Sequence, residues 1–196
     1  MIVEDDPYRE LSYEGVPLPS LWRLGEPGSV VRLSSFSKTL SPGLRVGYLS
    51  ADARTVERFV HGGVLDSGGG ANHFAALVVS AFGRSGAYGA NVSRLISQYR
   101  DRRDALLAAL SEHMPRGTSW TRPSGGYFVW LQLPHGTNVD KLLPVAETLG
   151  MSFVPGRAFY GKNVQTDSIR LSFSRYPPLQ LREAVARLGR ALIAAP

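Results

Sequence analysis

Short apolar runs alternate with amphipathic helical patterns along this 196-residue chain, and this alternation restricts the fold more than any other feature of the sequence. Residues 1–4, 30–36 and 44–49 are apolar runs bounded by turn residues, which is typical of buried strands. A long helix is predicted from about residue 90 to residue 114, because apolar side chains recur there at spacings of three and four. Strands that alternate with helices predict an α/β fold.

Strands and helices also alternate in the second half of the chain, which predicts a separate small α/β layer there. Strands are predicted at residues 127–133, 151–154 and 169–173. A helix is predicted from residue 139 to residue 149, with Asn138 as its N-cap and Pro144 as a kink or restart inside it. A closing helix carries the apolar stripe Leu181, Val185, Leu188 and Leu192. We place the domain boundary between residues 86 and 87, close to the start of the long helix.

The composition excludes several classes of protein. Hydrophobic residues make up 43% of the chain and charged residues 19%, so it has enough apolar surface to fold and is not a disordered tail. The chain has no cysteine, which excludes disulfides and thiolate metal sites, and we expect no metal. No apolar run approaches membrane-spanning length, and the first residues do not form a secretory signal, so we expect a cytoplasmic protein without membrane contact.

The positive charge of the chain is concentrated in its second half. Residues 1–86 hold 8 basic and 9 acidic residues, whereas residues 87–196 hold 14 basic and 7 acidic ones. The arginines of the second half are spread over predicted helices and strands, and the tightest group, Arg100 to Arg103, is interleaved with acidic residues. This pattern favours an ordinary solvated face over a nucleic-acid site.

Lys38 is one of three lysines and lies in a loop rich in hydroxyl groups directly after a predicted strand. Partial desolvation at such a position favours the neutral, nucleophilic amine. The hydroxyls of Ser35, Ser37 and Ser41 are suited to bind a phosphate, and the Arg45 guanidinium adds further donors. An amine beside a phosphate cradle indicates an aldehyde-bearing phosphorylated cofactor, pyridoxal phosphate. The same string is equally compatible with an ordinary loop that carries a surface lysine.

Two further places in the sequence carry candidate site residues. Asp5 and Tyr8 follow the first strand, and together they could hold a protonated pyridine nitrogen and a ring oxygen, although Asp-Asp-Pro-Tyr also suits a simple polar turn. Arg170 interrupts an apolar strand, so it could bind a carboxylate or could pair with a structural acid at a sheet edge. Arg157 is a weaker candidate for the same role.

Taken together, these strings make the chain resemble the class I and II (fold type I) pyridoxal-phosphate aminotransferases. The resemblance rests on residues 4–8, 35–47, 123–130, 153–156 and 169–173. It is greatest for the 2-aminoadipate and multi-substrate branch, which also supplies the C-terminal part of MocR-type transcription regulators. The implied fold is the C-terminal part of a fold type I transferase. Residues 1–86 would end the large cofactor-binding domain, and residues 87–196 would form the small domain.

The resemblance also implies roles for individual residues. Lys38 would be the Schiff-base lysine and would then move the proton of the substrate Cα. Asp5 would hold the pyridinium N–H, and Tyr8 would bond the ring oxygen. The cofactor phosphate would be bound by Ser35, Ser37 and Arg45. Arg170 would bind the carboxylate of an amino acid or a 2-keto acid, the two substrates of a ping-pong transamination.

The chain would correspond to the C-terminal half of such an enzyme, acting as a homodimer or with a complementing N-terminal half. Because much of the large-domain sheet of a family member would be missing, we expect exposed strand edges and apolar faces here. Two alternatives stay open. One is a decarboxylase of the same fold, and the other is a non-catalytic effector or dimerisation module of a MocR-type regulator.

Overall fold

The computed structural model describes residues 1–63, 65, 67–70, 72–162 and 166–194. The chain divides into two compact units, Met1–Ile96 and Ser97–Pro196. Each unit combines a small sheet with helices, so the α/β class predicted from the sequence is confirmed. The domain boundary predicted between residues 86 and 87 stays a prediction.

The first unit contains a three-stranded sheet formed by β1 (Ile2–Asp5), β2 (Val30–Ser35) and β3 (Gly47–Ser50), in that order. β1 and β2 run parallel, with Asp5 opposite Leu33, whereas β2 and β3 run antiparallel. Parallel pairing brings the carboxyl ends of β1 and β2 to the same edge of the sheet. The segments that follow Asp5 and Ser35 therefore leave the sheet side by side.

Four helices accompany these strands in the described part of the first unit: α1 (Leu21–Leu24), α2 (Ala53–Val60), α3 (His73–Arg84) and the start of α4 (Ala87–His113). Polar side chains cap α1, α2 and α3, because N–H groups of Arg23, Thr55 and Ala75 donate to the side chains of Ser20, Asp52 and Asn72 respectively. A small core is formed by Ala75 and Val79 of α3 together with Val46.

The outer strands of this sheet are more exposed than their sequence predicts. Ile2 and Val3 of β1 are 51% and 58% exposed, and Leu49 of β3 is 36% exposed. The prediction of a buried first strand is therefore wrong, because β1 pairs with β2 on one side only. The expectation of exposed apolar faces agrees with these values.

The second unit contains a four-stranded antiparallel sheet. Its strands are β4 (Ser119–Trp120), β5 (Phe128–Gln132), β6 (Val154–Pro155) and β7 (Ser168–Ser172), in the spatial order β4-β5-β7-β6. Two helices follow strands of this sheet, α5 (Val139–Thr148) and α6 (Pro178–Ala194). The core is well buried, with Leu110, Leu131, Ile169 and Val185 all 0% exposed.

Several element bounds differ from the predictions for physical reasons. The third strand begins at Gly47 rather than at residue 44, because Pro42–Leu44 forms a 3-10 turn that ends in left-handed Arg45. The strand predicted at residues 151–154 is reduced to β6. Pro144 lies inside a single helix, α5, with the predicted N-cap Asn138. Where the structure describes the chain, no helix has both the length and the apolarity to cross a membrane.

Candidate functional site

Lys38 lies in a tight turn that leaves the end of β2. Two backbone bonds close this turn, from Leu40 N–H to the Phe36 carbonyl at 2.8 Å and from Ser41 N–H to the same carbonyl at 3.1 Å. Lys38 is half-buried within the turn. Its backbone is thus held by hydrogen bonds that close around it.

Apolar side chains on either side of Lys38 anchor the turn to the protein. Phe36, Leu40 and Leu44 pack against the core of Val46, Ala75 and Val79. Removing such side chains from water stabilises a contact in proportion to the apolar area buried. Phe36 and Leu40 therefore anchor the turn to the core, and Lys38 lies between these two anchoring residues.

The serines of the string form a hydrogen-bonded pair beside the lysine. The Ser35 hydroxyl donates to the Ser37 hydroxyl oxygen at 2.8 Å and accepts from Ser37 N–H at 3.1 Å. With the Ser35 proton engaged, the Ser37 hydroxyl proton is left to be donated to an incoming acceptor. This arrangement suits an anion, as the sequence predicts.

Arg45 has an unusual backbone for an arginine. Its φ and ψ are 53° and 40°, and it is the one non-glycine residue of the described chain with a positive φ. A residue with a Cβ adopts this left-handed conformation at a cost of about 1–3 kcal/mol, and such outliers cluster at functional sites. The side chain is exposed, and its one hydrogen bond to a described residue joins Nη1 to the Pro42 carbonyl at 3.2 Å. Most of the guanidinium N–H groups are thus left for an anion.

Asp5 is the last residue of β1, and Tyr8 follows that strand at the same edge of the sheet. The Lys38 Nζ atom lies 5.6 Å from the centroid of the Tyr8 ring. Asp5 is exposed and makes no hydrogen bond or ion pair with any described residue. The next residue differs, because the Asp6 carboxylate pairs with Arg9 at 3.4 Å and with Arg32 at 3.3 Å. Of the two adjacent carboxylates, Asp5 is the one available to a ligand.

A second set of contacts on this turn has no signal in the local sequence. Thr39, directly after Lys38, is only 2% exposed. It is bonded by Tyr88 and Asn91, which lie in the first turns of α4. These residues are separated from Thr39 by 49 and 52 positions, so no spacing rule could connect them.

Arg170 lies in the second unit, in the middle of β7. It pairs in register with Trp130 of β5 and Val154 of β6, so it is not on an edge strand. The guanidinium carbon lies 4.0 Å from the Phe128 ring centroid and 4.4 Å from that of Phe159. Stacking on two rings leaves the N–H groups at the guanidinium edges, where a carboxylate binds.

The contacts of Arg170 and Arg157 show which of the two guanidinium groups is available to a substrate carboxylate. Arg170 forms no ion pair with the described carboxylates, which disfavours the alternative of a structural pair. The Nε atom of Arg157 lies 2.7 Å from an Asp140 carboxylate oxygen, so that guanidinium is already engaged. The first unit thus holds Asp5, Tyr8, Ser35, Ser37, Lys38 and Arg45, and the second holds Arg170.

The sequence of the chain is similar to that of known proteins along nearly its whole length. Residues 1–188 match the family described as aminotransferase class I and II. The chain is 35% identical to aromatic-amino-acid aminotransferase 1 of Thermococcus litoralis, over 98% of this chain and 46% of that protein. It is 37% identical to 2-aminoadipate transaminase of Thermus thermophilus, over 98% of this chain and 49% of that protein.

Two further similarities concern structure and regulation. The crystal structure of LysN, the alpha-aminoadipate aminotransferase of Thermus thermophilus in complex with N-(5'-phosphopyridoxyl)-L-leucine, has a TM-score of 0.89 at 36% identity. The alignment covers 98% of this chain and 50% of that one. The chain is also 34% identical to the HTH-type transcriptional regulator TauR of Rhodobacter capsulatus, over 98% of this chain and 40% of the regulator. The chain spans about half the length of the enzymes it matches.

Proposed function

The chain belongs to the aminotransferase class I and II family, and on that premise we propose that it is the C-terminal half of a pyridoxal-phosphate-dependent aminotransferase. The observation that carries the proposal is the Lys38 turn. There an amine, a pair of serine hydroxyls and a largely unengaged arginine lie beside the carboxyl end of a parallel strand.

The donor set in this turn fits the cofactor. Arg45 and the Ser37 hydroxyl offer N–H and O–H donors to a phosphate, and charge-assisted bonds of this kind are the strong ones. The exposed Asp5 carboxylate offers an acceptor to a pyridine N–H, and the Tyr8 hydroxyl offers a donor to a ring oxygen. Once bound, the cofactor supplies an electron sink for the electron pair that remains on Cα when an amino acid loses its Cα proton.

Lys38 performs two tasks in this proposal. Its Nζ atom would hold the aldehyde carbon of the cofactor, with the aldehyde oxygen leaving as water, and would so tether the cofactor to the turn. With its amine free, Lys38 would accept the proton from the substrate Cα and would later donate it to the cofactor carbon that it had held. A fixed turn suits this work, because proton transfer requires the amine to stay within hydrogen-bond reach of the reacting atom.

Arg170 binds the substrate carboxylate in this proposal. The rings of Phe128 and Phe159 fix the plane of the guanidinium, so that its N–H edges present a rigid fork. A carboxylate accepts two parallel bonds from such a fork. An amino acid and a 2-keto acid both carry this carboxylate, so one arginine serves both halves of an amino-group exchange.

The exposed apolar side chains of the first unit support a further polypeptide as part of the working enzyme. Ile2, Val3 and Leu49 lie on the outer strands of its sheet and are between 36% and 58% exposed. A complementing N-terminal half or a second copy of the chain would remove them from water. The choice between these partners and the cytoplasmic location stay predictions.

The similarity to TauR supports one alternative, a non-catalytic effector module of a transcription regulator. That alternative predicts cofactor binding without the release of a product. A decarboxylase of the same fold is the other, and it predicts carbon dioxide and an amine instead of a keto acid.

The test is an assay for products with the cofactor-loaded chain. The chain is supplied with pyridoxal phosphate, 2-oxoglutarate and either 2-aminoadipate or an aromatic amino acid. It is tested alone and after mixing with the N-terminal half of a related enzyme. We expect a new 2-keto acid from at least one preparation. An amine with carbon dioxide would support the decarboxylase, and cofactor binding without product in both preparations would support the effector module.

A further inference from the structure

Thr39, the residue that follows Lys38, is bonded by helix α4 at two separate atoms. The hydroxyl of Tyr88 lies 2.8 Å from the Thr39 hydroxyl, and the Asn91 amide nitrogen donates to the Thr39 carbonyl at 2.8 Å. Thr39 is 2% exposed, so water does not compete readily for these bonds. The side chain and the backbone of Thr39 are thus both fixed.

A third residue completes this cluster and determines the direction of its hydrogen bonds. The Tyr88 hydroxyl donates to the Glu10 carboxylate, which can only accept. Because a tyrosine has a single hydroxyl proton, the Thr39 hydroxyl must donate to Tyr88. Partial burial and the bond to Glu10 raise the pKa of Tyr88, so the phenol keeps its proton. The chain of donation therefore runs from Thr39 through Tyr88 to Glu10.

Tyr88 also contacts the turn through its ring. Its centroid lies 5.9 Å from that of Phe36, at an edge-on angle of 78°. Phe36 provides the carbonyl that closes the turn, so Tyr88 reaches the segment on both sides of Lys38. The ring of Tyr48 also packs on Phe36, at 5.4 Å, but its hydroxyl makes no hydrogen bond with the described residues.

We propose that Tyr88 and Asn91 are positioning residues that fix the direction in which the Lys38 side chain leaves its turn. This inference rests on the proposed function of Lys38. The hydrogen bonds of these two residues to the turn both end on Thr39, the neighbour of Lys38. They should control how fast the amine reacts once the cofactor is bound, and not how tightly the cofactor binds. Displacement of a reacting group by about 1 Å can slow a reaction by about a hundredfold.

The three lysines of the chain provide an internal comparison for a labelling experiment. The intact chain, alone and with a complementing N-terminal half, is incubated with pyridoxal phosphate and reduced with borohydride at set times. The modified peptides are quantified by mass spectrometry. Lys141 and Lys162 are exposed and lie in the second unit, so they report the reactivity of an ordinary lysine. The rate at saturating cofactor and the half-saturating concentration are measured separately for Lys38.

Tyr88→Phe removes one oxygen and keeps the ring against Phe36, and Asn91→Ala removes the second bond. We expect each variant to slow labelling of Lys38 at saturation by about tenfold or more, with an unchanged half-saturating concentration and unchanged labelling of Lys141. Tyr48→Phe is the matched control, because it removes a hydroxyl from the other ring on Phe36. It should behave like the wild type.

The outcomes separate this inference from the proposed function. If wild-type Lys38 reacts no faster than Lys141 and Lys162 in both preparations, the proposed function fails. If wild-type Lys38 is selectively labelled and both variants label it at the wild-type rate, the positioning role is overturned and the proposed function stands. Loss of the folded circular dichroism signal in both variants would assign the cluster to stability alone and would also overturn the positioning role.

Discussion

Replacing Arg45 by glycine and by alanine should separate the backbone strain at this residue from the charge of its side chain. Both substitutions remove the guanidinium and its bond to the Pro42 carbonyl. They differ in the backbone, because φ is 53° and only glycine adopts that conformation without a steric cost. Alanine at a positive φ is less stable than glycine by about 1 kcal/mol, even after the greater freedom of unfolded glycine is counted.

This difference is measurable by thermal unfolding. For a chain of this size, about 1 kcal/mol corresponds to a Tm difference of about 2–4 °C. Arg45→Gly should therefore melt about 2–4 °C above Arg45→Ala, when both are followed by circular dichroism. Arg54→Ala is the control for the lost charge, because Arg54 is exposed on helix α2 of the same unit.

The same two variants should bind the cofactor equally weakly. A hydrogen bond to a charged group contributes about 1.5–3 kcal/mol, which corresponds to a ten- to hundredfold rise in the half-saturating concentration of pyridoxal phosphate. The labelling rate of Lys38 at saturation should change little, in contrast to Tyr88→Phe. Equal stability of the glycine and alanine variants would refute the strain argument. Wild-type cofactor affinity in both would refute the role of Arg45 in binding phosphate.

Three further predictions follow from other parts of the chain. Arg170→Lys keeps the positive charge but loses the planar guanidinium, so the half-saturating amino acid concentration in the product assay should rise about ten- to hundredfold. An unchanged concentration would exclude Arg170 from carboxylate binding. Desolvation raises the pKa of the Glu4 carboxyl, but hydrogen bonds from Leu21 and Trp22 N–H and the charges of Arg32 and Arg9 lower it by more. The net pKa of Glu4 is therefore below its usual value. Glu4 should therefore stabilise the wild type over Glu4→Gln at neutral pH, with the advantage lost as the pH falls through the folded-state pKa; urea unfolding that shows no such change would contradict this. Gly189→Ala should destabilise the protein by about 1–3 kcal/mol, because the new Cβ would lie 2.8 Å from the His113 carbonyl oxygen. Gly83→Ala, with open space around it, should stabilise the protein by about 0.5–1 kcal/mol. Equal unfolding midpoints of the two variants would contradict the packing of α6.

Local patterns account for the parts of this fold that the sequence predicts well. The long helix, the strand at Val30–Ser35 and the N-cap at Asn138 each depend on residues within a few positions of one another. The Lys38 turn is also local, and the serine pair and the turn lie within seven consecutive residues, 35–41. These features can be predicted from the sequence because their hydrogen bonds and their periodicity lie within one segment of the chain.

Contacts between distant segments account for the parts that the sequence did not predict. The bonds from Tyr88 and Asn91 to Thr39 join segments about fifty residues apart, and no periodic pattern encodes them. The exposure of Ile2 and Val3 was also missed, because an apolar run predicts a strand but not the number of its neighbours. The left-handed backbone of Arg45 shortened the third strand, although an arginine gives no local sign of such a conformation.

The central claim, that Lys38 is the residue that holds the cofactor, is tested most directly by locating the site of covalent attachment. The purified chain, alone and with a complementing N-terminal half, is mixed with pyridoxal phosphate and reduced with borohydride, and its peptides are sequenced by mass spectrometry. We predict one phosphopyridoxyl group on Lys38, and none on this peptide in Lys38→Ala. Modification spread evenly over Lys38, Lys141 and Lys162, or none at all in either preparation, would contradict the claim.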